Sequence, residues 1–194
     1  TPSRGMWYCF GCGEGGDVVW LAERGWAVTG VDVAHAAVEK ARSSDTKRVV
    51  IVSGGPGTGK SVIALSLLGE LARQGRAVLH ATGSRSFTQT LRKVAGHRSS
   101  RTKALFKYFN SFMEAEKNGL DVLILDEAHR IRETSANRWT KAAVRTGRPQ
   151  VEELISAARV PVFLLDEHQT VRPGELGSIQ EITAYAESLG LPVH

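Results

Sequence analysis

Apolar and polar positions along this chain alternate between short β-branched runs and longer amphipathic stretches. The runs are 48–53 (RVVIVS), 77–81 (AVLHA), 121–126 (DVLILD) and 160–166 (VPVFLLD). Each is short, nearly continuous in apolar character and bounded by turn residues, the signature of strands buried on both faces of a parallel sheet. Between them, 61–72, 87–94, 104–117 and 179–189 read as helices. Strand and helix in alternation predict an α/β fold with a mostly parallel sheet flanked by helices.

Punctuation agrees with that reading. Gly75 follows the first of these helices where a left-handed residue would end it. Residues 96–103 (GHRSSRTK) read as a basic surface loop that a nucleic-acid phosphate could meet. Leu105, Phe106, Phe109, Phe112 and Met113 form an aromatic stripe at helical spacing over 104–117, which reads as core rather than as a stacking face. Residues 43–47 (SSDTK) are polar and read as a linker dividing a 1–44 segment from a 45–194 domain.

The strongest chemical signal is Gly54-Gly55-Pro56-Gly57-Thr58-Gly59-Lys60-Ser61, which fits G-x-x-x-x-G-K-[ST] with a strand before it and a helix after it. Glycines let backbone N–H groups close around phosphate oxygens, and the helix N-terminus adds partial positive charge. Lys60 can reach the β- and γ-phosphates of ATP, and the Ser61 hydroxyl can ligate Mg²⁺. The second signal is the strand 121–126, which runs into Asp126-Glu127-Ala128-His129. Such a strand delivers its C-terminal end beside the nucleotide. Asp126 is the expected Mg²⁺ ligand and Glu127 the general base that polarises water. His129 is placed to sense the γ-phosphate. Residues 130–148 carry many arginines and Trp139, a candidate nucleic-acid contact with a stacking platform.

Residues 1–44 pose a separate question. Gly11-Cys12-Gly13-Glu14-Gly15-Gly16 fits G-x-G-x-x-G after an apolar run, and 26–33 reads as a second strand carrying Asp32 at its end, with a helix over 34–42. An acid about 20 residues beyond a glycine loop suits a ribose hydroxyl. This Rossmann-like β-α-β-α fragment resembles the first two motifs of class I S-adenosylmethionine (SAM)-dependent methyltransferases. That resemblance implies a cofactor loop at 11–16 and ribose binding by Asp32. Residues 1–20 also resemble half of the zinc-binding motif of bacterial DNA primases. Cys9 and Cys12 supply only two of the four ligands that Zn²⁺ needs. Neither SAM nor Zn²⁺ is an expected cofactor, and the segment reads as a fragment, a natural fusion or a recombination scar.

Residues 48–194 resemble the first RecA-like lobe of the Schlafen-type (group 3-like) DNA/RNA helicase family. The matching strings are VVIVSGGPGTGKSVIALSLL, ALFKYFNSF, DVLILDEAHRIRETSANRWT, QVEELI and VFLLDEHQTVRPGELGSI, in that order. The resemblance implies an ATPase that acts on DNA or RNA, with a DEAH box at Asp126–His129. A strand that ends in Asp-x-x-Gln recurs in superfamily-one helicases, which makes Gln169 a γ-phosphate contact. Such helicases bind ATP between two lobes, so this chain is expected to need a second RecA-like lobe, to hydrolyse ATP slowly alone and not to unwind a duplex. Alternatives are a nucleotide-dependent switch or defence ATPase without unwinding, and a SAM-binding protein acting through 5–42. The formal charge of +5 permits nucleic-acid binding. No apolar run approaches membrane-span length, and cysteine usage points to a cytoplasmic protein. A first residue of Thr1 reads as the start of a fragment.

Overall fold

A computed structural model describes residues 32–44, 46–97, 99–137, 139–166 and 175–194. Its strands are β1 (Val50–Ser53), β2 (Val78–Thr82), β3 (Phe106–Tyr108), β4 (Leu120–Asp126) and β5 (Ala158–Leu165). They form one sheet in the order β1-β5-β4-β2-β3, and every pairing within it is parallel. The helices are α1 (Asp32–Arg42), α2 (Lys60–Arg73), α3 (Arg85–Val94), α4 (Ser100–Ala104), α5 (Gln150–Ala157) and α6 (Ile179–Ser188).

Two-residue periodicity divides the core. Val122 and Ile124 of β4 and Val160, Val162 and Leu164 of β5 face α2, where Ala64, Leu67, Leu68 and Leu71 are buried, and α3 adds Leu91. The intervening Leu123, Leu125, Phe163 and Leu165 face the other side, against Leu154 and Ile155 of α5 and Ile182 and Ala186 of α6. Because strand side chains alternate in direction, a continuous apolar run feeds both layers. Each of these large side chains contributes roughly 1.5–3 kcal/mol by leaving water.

Helix ends follow local chemistry. Gly75 has φ +73 and donates to the Ala72 carbonyl at 3.1 Å, closing α2 where the sequence placed its C′ residue. The Ser84 hydroxyl accepts from Phe87 N–H at 3.3 Å and starts α3. Ser178 and Glu181 cap α6 reciprocally. Residues 193 and 194 lie along the outer edge of β1, through a Val49–Val193 parallel bridge and an Ile51 N–H to His194 carbonyl bond of 2.7 Å.

Three expectations are corrected. The helix over 104–117 does not form. Phe106 enters the sheet beside His80, and Phe109–Phe112 is a 3-10 turn. The aromatic stripe is core nonetheless, since Phe106, Phe109 and Phe112 are all buried. An i, i+3 spacing stacks side chains on a 3-10 turn as well as on an α-helix, and the flanking aromatics favour a strand. The basic loop 96–103 turns helical at Ser100, because the Ser99 hydroxyl accepts from Thr102 N–H at 3.1 Å. Asp32 belongs to the first turn of α1 and not to a strand. Cys9, Cys12 and the 11–16 loop lie outside the described residues.

Candidate nucleotide-binding site

β1 runs into the loop 54–59, and α2 begins at Lys60. Gly59 stands at the N-cap with φ 85 and offers no side-chain cap, which leaves the first turn of a 14-residue helix open towards the loop. Gly57 is also left-handed, at φ 73. The loop is held by its own side chains. The Thr58 hydroxyl donates to the Gly55 carbonyl at 2.9 Å, and Lys60 Nζ donates to the Gly54 and Gly55 carbonyls at 2.5 and 2.7 Å. Gly54 N–H reaches the Leu165 carbonyl at 3.3 Å, tying the loop to the end of β5. A triphosphate would take the Lys60 ammonium from these carbonyls, since charge-assisted bonds to phosphate are the stronger ones. Ser61 and Pro56 complete the motif, Ser61 partly buried at the start of α2 and Pro56 exposed.

β4 brings Asp126 to the same edge of the sheet. β5 lies between β1 and β4, so their ends are two strand spacings apart, roughly 10 Å. A phosphate, a cation and a water fit in that interval. Asp126 is 2% exposed, and its Oδ1 accepts from Glu127 N–H at 2.9 Å. Its Oδ2 is buried with no hydrogen-bond partner among the described residues. A buried carboxylate oxygen left over suits a cation, and Asp126 and Ser61 would hold Mg²⁺ together with phosphate oxygens. Among the described residues no cluster of three or more His, Cys, Asp or Glu could hold a metal without such help.

Glu127 has φ 57 and ψ 41, left-handed backbone for a residue with a side chain. The 3-10 turn Ala128–Arg130 follows. Glu127 Oε2 lies 3.2 Å from His129 Nε2 and 3.4 Å from Arg130 Nε. The hydrogen bond from His129 holds the Glu127 carboxyl below the usual carboxylate range. Arg130 acts in the same direction, and partial burial opposes both. His129 is buried and faces Glu127. Gln169 lies outside the described residues.

Two features escaped the sequence reading. Gly177 packs so closely on this turn that an added Cβ would sit 2.0 Å from the Ala128 carbonyl oxygen. Leu176 N–H bonds the Ile131 carbonyl at 2.6 Å beside it. No local pattern marks Gly177, because its neighbour lies far away in sequence. The second is a cavity of about 570 Å³ at the ends of β2 and β3, lined by Arg85, Arg130, Arg132, Gln89, Tyr108 and Asn137 and, among the described residues, by no carboxylate. Of its arginines, Arg130 and Arg132 belong to the basic stretch 130–148, and Arg85 comes from α3. Trp139, on that stretch, is 78% exposed.

The chain is similar to several known proteins. The family model described as Schlafen group 3, DNA/RNA helicase domain, matches residues 47–194. The thiopurine S-methyltransferase (TPMT) model matches residues 4–54. The DNA repair protein RadA of Campylobacter jejuni is 32% identical over 100 residues, covering 49% of this chain and 22% of RadA. Two solved structures, a DNA replication initiation factor and AMPPCP-bound DnaA from Aquifex aeolicus, align over 95% of this chain and 47% of theirs. Their identities are 15% and 16%, and their TM-scores 0.43 and 0.41. The chain thus spans less than half the length of each of these relatives. The Schlafen match covers residues 47–194, from before β1 and the glycine loop onward. This chain is therefore a nucleotide-binding, P-loop ATPase-like domain and belongs to the Schlafen group 3 DNA/RNA helicase domain family.

Proposed function

We propose that residues 45–194 form the Mg²⁺-dependent ATPase lobe of a cytoplasmic helicase-like protein that acts on DNA or RNA. One observation carries this reading: the glycine loop with Lys60 and the Asp126–Glu127 turn open on one sheet edge, with a single strand between them. The loop 54–59 and Lys60 hold the phosphates, while Asp126 and Ser61 hold Mg²⁺, which supplies neutralisation of phosphate charge. Glu127 takes the proton of the attacking water, and its depressed pKa keeps it ionised for that purpose. His129 orients the Glu127 carboxylate, 3.2 Å away, and Gln169 contacts the γ-phosphate. Full activity requires a second RecA-like lobe.

The arginine-lined cavity supports a polymer contact. Arg130 lines it and also touches Glu127, so a phosphate backbone bound there would compete for the same guanidinium that now faces the base. That link favours polymer-dependent turnover over a switch indifferent to nucleic acid. The TPMT match to residues 4–54 favours a second activity, SAM binding by the N-terminal segment, which a direct titration with SAM tests.

The deciding experiment measures Mg·ATP binding and turnover with and without single-stranded DNA and RNA. In the parent, polymer raises turnover. Lys60→Ala weakens Mg·ATP binding by about a hundredfold, equivalent to ~2.7 kcal/mol. Glu127→Gln keeps binding and loses turnover. Turnover unaffected by Glu127→Gln, or by either polymer, overturns the reading.

A further inference from the structure

His80 is the least explained side chain in the core. It sits in the middle of β2 and is 0% exposed, and neither ring nitrogen has a hydrogen-bond partner among the described residues. Phe87 and Phe106 flank it edge-on, with centroids 6.4 and 5.6 Å away. An imidazole buried among aromatic rings is costly if its polar atoms stay unmade, and a phenyl or leucine side chain would fill the space without that cost.

Register explains what the imidazole faces. His80 stands opposite Ile124 and Thr82 opposite Asp126. Side chains alternate, so His80 and Asp126 share a sheet face as diagonal neighbours, within reach of long or ring side chains. His80 Nε2 lies 3.5 Å from Asp126 Oδ2, and that oxygen is likewise buried without a hydrogen-bond partner among the described residues. The two unsatisfied groups face each other. A few tenths of an ångström of closure makes a hydrogen bond in which Nε2–H donates to Oδ2. The other oxygen, Oδ1, is already fixed by Glu127 N–H.

We infer that His80 is a positioning residue for Asp126: from its diagonal position on the same sheet face it holds the carboxylate in the orientation that accepts Mg²⁺. The inference rests on the reading of Asp126 as the cation ligand. Residues that orient a metal ligand from behind commonly change metal affinity by about 10–100-fold when removed. His80 is fully buried, so its effect passes through Asp126 to the cation and leaves the phosphate loop alone.

The test uses the full chain with Mn²⁺ as the probe, titrated by electron paramagnetic resonance in the presence of a non-hydrolysable ATP analogue. Analogue binding in EDTA and thermal melting are measured beside it. His80→Phe keeps the volume, and His80→Leu is the second variant should the phenyl crowd its neighbours. Expected is a loss of Mn²⁺ affinity of about 10–100-fold with the EDTA-state affinity and the melting temperature close to the parent's. His80→Asn, which retains a donor, recovers part of the loss. Unchanged Mn²⁺ affinity in a folded His80→Phe or His80→Leu overturns the role of His80 alone. A parent that binds the analogue no better with Mn²⁺ than in EDTA overturns the reading of Asp126 instead.

Discussion

The two halves of the candidate site are built by opposite means for the one task proposed for them, placing groups around a triphosphate. The phosphate loop is backbone: its left-handed positions, Gly57 and Gly59, are glycines, its side chains are partly exposed, and Lys60 folds onto the loop's own carbonyls. The carboxylate turn is side chain. Its left-handed position is Glu127, its neighbours Asp126 and His129 are buried, and Gly177 packs closely on it. A glycine loop conforms to its ligand. A glutamate forced to positive φ and clasped by His129 and Arg130 is set before the ligand arrives, which is what a base aimed at a single water requires.

Exchanging the residues at these left-handed positions tests that contrast, and it carries the largest expected effect. Glu127→Gly removes the base, and turnover falls by about 10²–10⁴-fold. Stability barely moves. Relief of a left-handed side chain gains roughly 1–2 kcal/mol, against about 0.5–1 kcal/mol for a looser unfolded chain and up to ~1 kcal/mol for the lost ion pairs. Gly59→Ala does the reverse, costing roughly 1–2 kcal/mol of strain and the binding of Mg·ATP. Thermal melts and analogue binding on both variants check this. A Glu127→Gly protein that melts far below the parent would show that the glutamate stabilises the turn and is not strained by it.

These opposite designs also decide what the sequence could reveal. A loop that works through backbone must use glycine at fixed spacing, so Gly54–Ser61 was legible in full. So was β4, since an apolar run that ends in Asp126-Glu127 has few other uses beside such a loop. A mostly parallel sheet followed from runs buried on both faces, and the structure makes every pairing within it parallel. What stayed hidden depends on register or on contacts distant in sequence. That His80 faces Asp126 follows from Thr82 pairing with Asp126, and no local pattern encodes that pairing. Gly177 meets the Ala128 carbonyl directly, although all of β5 separates the two along the chain. The stretch 104–117 misled because Phe106, Phe109 and Phe112 have a spacing common to two kinds of helix, while the sheet edge claimed Phe106.

Gly177 sharpens the comparison from the packing side. Its added Cβ would meet the Ala128 carbonyl oxygen at 2.0 Å and His129 Cα at 2.5 Å, both backbone atoms that cannot swing aside. Gly177→Ala therefore displaces the carboxylate turn, at a cost of about 1–3 kcal/mol, or roughly 2–4 °C of melting temperature per kcal/mol. The phosphate loop is untouched, so turnover falls while affinity for a Mg·ATP analogue stays near the parent's. Equal losses in both would mean that the two halves of the site move as one body and that their separation is only apparent.

The smallest effect concerns pH. The hydrogen bond from His129 depresses the Glu127 carboxyl below its ordinary value of 4.5, with Arg130 assisting. For a depressed carboxylate the stabilising interaction is fully present above the unfolded value and is lost as pH falls through the folded one. Turnover by the parent should therefore persist below the pH at which an ordinary glutamate would protonate. In His129→Leu the principal cause of the depression is gone while Arg130 remains. The acid limb of the turnover profile then moves to higher pH, while the stability lost on acidification becomes smaller, because the folded value lies nearer the unfolded one. Lys60→Ala, which alters the other half of the site, leaves the acid-side melting profile where it was. An acid limb that does not move in His129→Leu would make Arg130 the group that holds the base ionised, and the carboxylate turn would then depend on a half-buried guanidinium shared with the arginine-lined cavity rather than on the buried His129.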